Sequence, residues 1–255
     1  MNRYWADRMA RSLNRLSNKN IKAIEKQMRK YYATAMNSVI EGFESTYNKL
    51  LASGDKVTPA DLYKLDKYWQ MQGQVRHTLQ KLGDKKISLL GKVFETNYFD
   101  VYYGINIEGA SAFTTIDTSS VKHIINQIWC ADGKSWSQRI WDDVGRLQQV
   151  LNDRLIECVT LGKKPTELKR QLQEQFGVSY RRADSIARTE IAHIQTKAAQ
   201  QRYQDYGIKE EEVWADEDER RCPDCGKIHK KRYPVGTAPL PLHPNCRCCV
   251  LPVVE

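Results

Sequence analysis

The first 50 residues follow a helical pattern of hydrophobic and polar positions. Apolar side chains recur at steps of three and four from Trp5 to Leu50, and the pattern skips once, at Asn20. No proline interrupts this stretch, and its first glycine is Gly42. The periodicity predicts a long amphipathic helix with a basic outer side, either continuous or as two helices joined near residues 17–20. At 1.5 Å per residue, it would be about 70 Å long.

Further helices are predicted beyond this stretch. Thr58 and Pro59 are typical of an N-cap and a first helical residue, and they open a helix that runs to about residue 82. A segment rich in Gly, Ser and Thr, residues 104–120, lacks helical periodicity and is the predicted domain boundary. It separates a long-helix N-terminal domain, residues 1–105, from a second domain, residues 106–255. The other predicted helices cover about residues 84–103, 121–129, 137–161, 166–177 and 179–206.

The pattern changes character after Gly207. Short segments at residues 212–215, 227–229, 231–233 and 249–251 have the composition of strands and lie around cysteine-containing turns. The predicted fold is therefore mainly α, with long N-terminal helices followed by an α+β C-terminal domain. That domain ends in a small cysteine-rich β element, residues 208–255.

The composition favours a partner that carries negative charge. The formal net charge is +9 and the pI is about 9.1, which suits a polyanion such as nucleic acid, although a solvated basic surface is the alternative. Mean hydropathy is −0.64, and no apolar run predicts a membrane span. The first residues lack the apolar core of a secretory signal. We therefore expect the cysteines to lie in a reducing cytosol, where clustered thiols bind metal more often than they form disulfides.

Five of the seven cysteines lie near the C-terminus, together with one histidine. Cys222 and Cys225 have the spacing of a metal-binding turn, and His243 precedes Cys246 by three residues. Four such ligands form a closed, structural zinc site, in which Cys246 and Cys248 compete for the last position. Reduced thiols without metal and a catalytic metal are the alternatives, but no His-x-Glu element supports deaminase-type chemistry. Because this tail has little hydrophobic mass, zinc is expected to supply much of its folding free energy.

A group of three tryptophans, Trp129, Trp136 and Trp141, surrounds the start of a predicted helix for which Ser137 is the expected N-cap. Packing at a junction is the favoured interpretation of these rings. Stacking on nucleic-acid bases is the alternative.

The segment Arg188-Thr189-Glu190 lies in the middle of a predicted helix. We interpret it as a buried polar link to the metal-binding tail, with a catalytic glutamate as the alternative. No phosphate-binding loop or nucleophile elbow is present, so no catalytic residue is predicted.

The order of these motifs resembles the Mu F-like family of phage head morphogenesis proteins, also called minor head or minor capsid proteins. The tryptophan group comes first and Arg188-Thr189-Glu190 follows. The chain then continues with Asp216 to Cys225 and closes with His243-Pro-Asn-Cys-Arg-Cys. The resemblance covers about residues 106–255. An additional Cys249 departs from the family pattern and leaves the fourth metal ligand open.

The resemblance implies a non-enzymatic component of the virion that lies inside the capsid near the portal and is present in the host cytoplasm during assembly. Its implied partners are the portal protein, the capsid and scaffold interior, and packaged DNA through non-specific charge, with no membrane. It would assist head morphogenesis, and possible further roles are genome packaging or delivery. A zinc-ribbon nucleic-acid-binding protein is one alternative. An ADP-ribosyltransferase-like enzyme is another, for which Glu210-x-Glu212 supplies only the bare Glu-x-Glu pattern.

Overall fold

A computed structural model describes residues 3–51, 58–64, 66–107, 115–215 and 218–254. Within these ranges the chain is mainly α, with a small C-terminal sheet beside the cysteines, as the fold-class prediction states. No helix in these ranges has both the length and the apolar character that a membrane crossing needs. The helices and strands are α1 (Arg3–Leu51), α2 (Pro59–Tyr63), α3 (Asp66–Gly104), α4 (Thr118–Asn126), α5 (Trp136–Thr160), α6 (Pro165–Asp205), β1 (Glu210–Trp214), α7 (Pro223–Ile228), β2 (Arg232–Pro234) and β3 (Cys249–Pro252).

Helix α1 is continuous, so the alternative of two helices joined near residues 17–20 is wrong. Asn20 interrupts the apolar pattern and Ser17 lies three residues before it, yet both polar residues are buried. Their side chains donate hydrogen bonds to Asn97 Oδ1 on α3, at 3.3 and 3.1 Å. A polar partner therefore accommodates polar residues on the inward side of the helix, and the backbone has no reason to break.

Helix α3 is also continuous where a break between residues 82 and 84 was expected. Gly83 does not end the helix. It gives Trp141 room, because a Cβ at residue 83 would lie 2.3 Å from the nearest carbon of that indole ring. Glycine stands here for its small size rather than for its backbone freedom.

Helix α6 likewise joins two segments that were predicted as separate helices, residues 166–177 and 179–206. The buried positions continue through Gly177 at helical spacing, with Phe176 before it and Ser179 and Ala183 after it. A glycine inside a helix costs about 1 kcal/mol relative to alanine, which packing on both sides of the residue can offset.

Some of the predicted helix ends are confirmed and others are wrong. Gly162 and Gly207 follow the ends of α5 and α6 with φ of +61° and +71°, as expected for helix stop signals. Helix α5 begins at Trp136, so Ser137 lies inside the helix and the N-cap prediction is wrong. Helix α4 is capped by Asp117 and ends at Asn126, three residues earlier than expected.

The chain forms two compact units, each assembled from separated segments. Unit 1 contains residues 1–24, 89–136 and 185–255, and unit 2 contains residues 25–88 and 137–184. This division differs from a boundary at residues 104–120, because distant parts of the chain contribute to one compact unit. The assignment of residues 1–105 and 106–255 to two functional regions stays a prediction.

Unit 1 contains the sheet, whose strand order is β2-β1-β3 with both neighbours antiparallel to β1. Val213 lies opposite Val250 in the register, and both side chains are buried. Tyr203 of α6 donates a hydrogen bond to the Val250 carbonyl at 2.9 Å. The tail therefore shares an apolar core with α6, and the expectation that it has little hydrophobic mass is wrong.

The strand predicted at residues 227–229 is also wrong, because residues 223–228 form helix α7. Cys222 is the N-cap of this helix, and Pro223 occupies its first turn, where a missing N–H costs nothing. Cys222 and Pro223 thus form a helix start within the cysteine-containing turn.

Unit 2 encloses a buried polar network. Lys86 is fully buried, donates to the Tyr32 hydroxyl at 3.1 Å and lies 3.8 Å from the Asp143 carboxylate. Burial lowers the pKa of Lys86 to about 8, although the charge of Asp143 opposes this effect. Removal of one member would leave a buried polar group unpaired, which costs several kcal/mol, about 3–5 for an ion pair.

Candidate metal centre

The five predicted ligands come together in unit 1. The Sγ atoms of Cys222 and Cys225 each lie 3.2 Å from His243 Nε2. The Sγ atoms of Cys225 and Cys246 are 3.9 Å apart. Around a tetrahedral zinc with Zn–S of about 2.3 Å, sulfur atoms lie about 3.8 Å apart and a sulfur and a nitrogen about 3.5 Å apart. These three distances lie within a few tenths of an ångström of the tetrahedral values. The donors form two ligand groups that share Cys225, and the donor atoms within each group lie within 4.8 Å of one another: Cys222, Cys225 and His243, and Cys225, Cys246 and Cys248.

The start of α7 positions the first two thiols. Cys222 Sγ accepts a hydrogen bond from the backbone N–H of Cys225 at 3.3 Å, as a capping side chain does. This contact places both sulfur atoms on one side of the turn. It also lowers the pKa of Cys222, because a donor stabilises the thiolate.

The turn at residues 243–246 presents the histidine. Its Nδ1 lies 2.8 Å from the Pro244 carbonyl oxygen, which can only accept, so Nδ1 carries the proton. In the neutral ring, the lone pair of Nε2 then faces the two thiols, which is the tautomer that a metal ligand needs. The Cys246 N–H donates to the His243 carbonyl at 3.2 Å and closes the turn.

Cys246 and Cys248 both face the cluster. Cys225, Cys246 and Cys248 are buried, and their Sγ atoms lie within 4.8 Å of one another. A hydrogen bond from Cys248 lowers the pKa of Cys246 to about 5, whereas burial raises the pKa of Cys225 to about 12. The choice between Cys246 and Cys248 as fourth ligand stays open. Among the described residues, Cys249 is buried outside both ligand groups.

An ion pair joins the segment before α7 to the segment before β3. Arg247 donates to both carboxylate oxygens of Asp218, at 2.8 and 2.6 Å. The guanidinium holds the pKa of Asp218 well below its usual range. Both residues belong to the motifs that mark the tail, but nothing local in the sequence pairs them. The bidentate contact fixes the approach of the two ligand-bearing segments.

Asn245 attaches the histidine turn to helix α6. Its backbone N–H donates to Thr189 Oγ1 at 3.0 Å, and its side-chain amide donates to Ser185 Oγ at 3.1 Å. Asn245 has φ of +60°, a conformation that asparagine tolerates better than most residues. A polar link between Arg188-Thr189-Glu190 and the tail is therefore present, with Thr189 as the contact, but Asn245 is exposed and the predicted burial of the link is wrong.

Glu190 is buried on another side of the same helix and accepts a hydrogen bond from Trp129 Nε1 at 2.9 Å. The Trp129 ring stacks on His193, with centroids 4.2 Å apart. Trp136 packs edge-on against Phe94. The packing interpretation of the tryptophans is confirmed by these contacts.

The Glu-x-Glu pattern lies in β1. Glu210 and Glu212 approach Arg232 of β2, at 4.0 and 3.8 Å. Glu211, which no motif singled out, is fully buried. Its Oε1 accepts from Gln200 Nε2 and from the backbone N–H groups of Gly236 and Ala238, at 2.8, 3.1 and 3.0 Å. This carboxyl organises the loop after β2.

The fold and the cluster define a helical protein whose small α+β subdomain is held against a long helix and carries donors that could bind a metal ion. Residues 149–251 match the family model described as phage Mu protein F like protein. This stretch of the chain is thus Mu F-like, which supports the resemblance to phage head morphogenesis proteins. The match includes Arg188-Thr189-Glu190 and all five candidate ligands, whereas the three tryptophans precede it. No curated protein and no solved structure matches the chain.

Proposed function

We propose that this protein is a minor head protein of a tailed phage, which associates with the portal and assists head assembly without catalysing a reaction. The match of residues 149–251 to the Mu F-like family carries this proposal. The geometry supports a non-enzymatic role, because polar side chains of the Arg188-Thr189-Glu190 segment form hydrogen bonds with other groups of the protein. Thr189 and Glu190 contact Asn245 and Trp129 rather than converge on a cleft.

The proposed partner is tested by co-purification with the portal oligomer of the same phage. We expect the chain to remain bound at low salt with zinc supplied. Heads assembled without the chain should form in smaller numbers or deliver DNA poorly. Repeated failure to associate under these conditions would contradict the proposal.

We further propose that the ion is zinc and that its role is structural. Thiolates and a neutral imidazole suit zinc, and a donor set that can supply four protein ligands leaves no position for a reactive water. Since the tail also has an apolar core, we expect loss of zinc to disorder the ligand turns and weaken the sheet without unfolding the helices.

Elemental analysis tests the zinc proposal. The purified protein should hold about one zinc per chain, the stoichiometry of a mononuclear site. Cys225→Ser should lose most of it, and Cys130→Ser, the same change outside the cluster, should keep it. Equal zinc content in both variants would contradict the assignment.

The enzyme alternative is tested with the same preparation. An ADP-ribosyltransferase would consume NAD, and Glu212→Gln would abolish the reaction. We expect no turnover above the rate measured with that variant.

A further inference from the structure

Helix α1 carries a row of arginine and lysine side chains along one side, within the part of the helix that belongs to unit 1. At 100° per residue, the five cations fall within an arc of about 80°. All five side chains are exposed. The row consists of Arg8, Arg11, Arg15, Lys19 and Lys22, which we name the basic stripe.

The basic stripe lies opposite the packed side of the helix. Ala6, Ala10, Leu13 and Ser17 are buried, and their directions centre about 180° from the stripe. Asp7, the acidic residue of this segment, lies about 40° outside the arc on the same count. The stripe therefore faces outward along its length with no acid inside it.

The spacing of the stripe suits a regular polyanion. Successive cations are three or four residues apart, so they rise by about 5 Å each and span about 21 Å in total. Duplex DNA has a rise of about 3.4 Å per base pair, so this length follows about six base pairs. Ser12 and Asn18 border the arc and line one surface groove with four of the five cations, all except Arg8, where they add neutral hydrogen-bond donors. Phosphates are contacted by this mixture of groups.

We propose that the basic stripe binds the phosphate backbone of duplex DNA without reading its sequence. The proposal rests on the proposed function in taking the packaged genome as the natural ligand, but the contact itself can be measured with the isolated protein. A side chain held against phosphate displaces condensed counterions, so each contact contributes to the salt dependence of binding.

The test is fluorescence anisotropy with a labelled duplex of about 20 base pairs and arbitrary sequence, titrated between about 50 and 200 mM salt. Five phosphate contacts give a slope of log K against log salt of about −4.5. Arg11→Gln/Lys19→Gln should reduce the magnitude of that slope by about 1.8. Arg76→Gln/Lys81→Gln removes one exposed arginine and one exposed lysine from α3 and should leave the slope within error.

Three results would overturn the proposal. The first is an equal loss of slope in both double variants, which would assign binding to net charge. The second is a slope of unaltered protein below about 1 in magnitude. The third is complete competition by polyglutamate at equal charge concentration, which would assign the stripe to acidic protein. The stripe variant should still co-purify with the portal, so failure here and failure of the proposed function are separate outcomes.

Discussion

The contact between Gly83 and Trp141 makes a strong prediction about stability. Gly83→Ala would normally stabilise a helix by about 1 kcal/mol. Here the new Cβ would meet three indole carbons at 2.3, 2.6 and 3.0 Å. No side chain tolerates such approaches, so either the ring or the helix must shift. Overpacking of this kind costs about 1–3 kcal/mol.

The two effects have opposite signs and can be separated. We expect Gly83→Ala to destabilise the unaltered chain by up to about 2 kcal/mol, which is the cost of the clash less the gain in helix propensity. In a Trp141→Ala background the clash is gone, and Gly83→Ala should stabilise by about 1 kcal/mol. The coupling between the two sites then equals the cost of the clash, about 1–3 kcal/mol.

Urea denaturation followed by far-ultraviolet circular dichroism measures this cycle. Gly73→Ala is the matched control, because Gly73 lies in the same helix and nothing is within 4 Å of an added Cβ. That variant should stabilise in both backgrounds. Equal stabilisation by Gly83→Ala with and without Trp141 would refute the packing argument.

Three further predictions concern the tail. Asn245→Ala should be less stable than Asn245→Gly by about 1 kcal/mol in urea denaturation, because both lose the amide contact to Ser185 and alanine is also strained at positive φ. Asp218→Asn should lower stability above about pH 4, and by progressively less as the pH falls. The pKa of Asp218 is lowered in the folded protein, so this group stabilises the fold only while it is ionised. Urea unfolding midpoints of both proteins, measured above and below about pH 4, check this prediction. The pKa of Glu211 is shifted in the opposite direction, upward. The contribution of Glu211 to the free energy of unfolding is therefore full at acidic pH and is lost as the pH rises through the pKa of the folded protein. Glu211→Gln should therefore gain stability relative to the parent between about pH 4 and pH 8, and a constant difference would contradict this reasoning.

The last prediction has a structural reason. Glu211 Oε2 and Gln200 Oε1 are both buried acceptors that lack a donor among the described residues. A proton on the carboxyl could serve both, and the side-chain amide that Glu211→Gln introduces would supply such a donor at any pH.

The long helices could be predicted because their periodicity is local, but their continuity could not. Gly83 and Gly177 are typical helix breakers in sequence, and Ser17 and Asn20 are polar residues on the inward side of a helix. For Gly83 the deciding neighbour is Trp141, and for Ser17 and Asn20 it is Asn97; both are far away in the chain. Tertiary contacts of this kind override local propensity, and no single-sequence pattern reveals them.

The candidate ligands could also be predicted, because the spacing of metal-binding residues is a local feature. The groups that hold the ligand turns were harder to find. Asn245 and Thr189 are 56 residues apart, and Asp218 and Arg247 are 29 apart. The asparagine of His-Pro-Asn-Cys was the available sequence signal for a tight turn, because asparagine tolerates the left-handed backbone conformation.

The strand order has a mechanical consequence for the sheet. Helix α7 leads into β2, and the histidine turn leads into β3, while β1 lies between these two strands. An ion bound by both ligand segments would connect the two outer strands of the sheet, β2 and β3. Removal of that ion should destabilise both outer strands together. The subdomain would then unfold in one cooperative step rather than from one edge of the sheet.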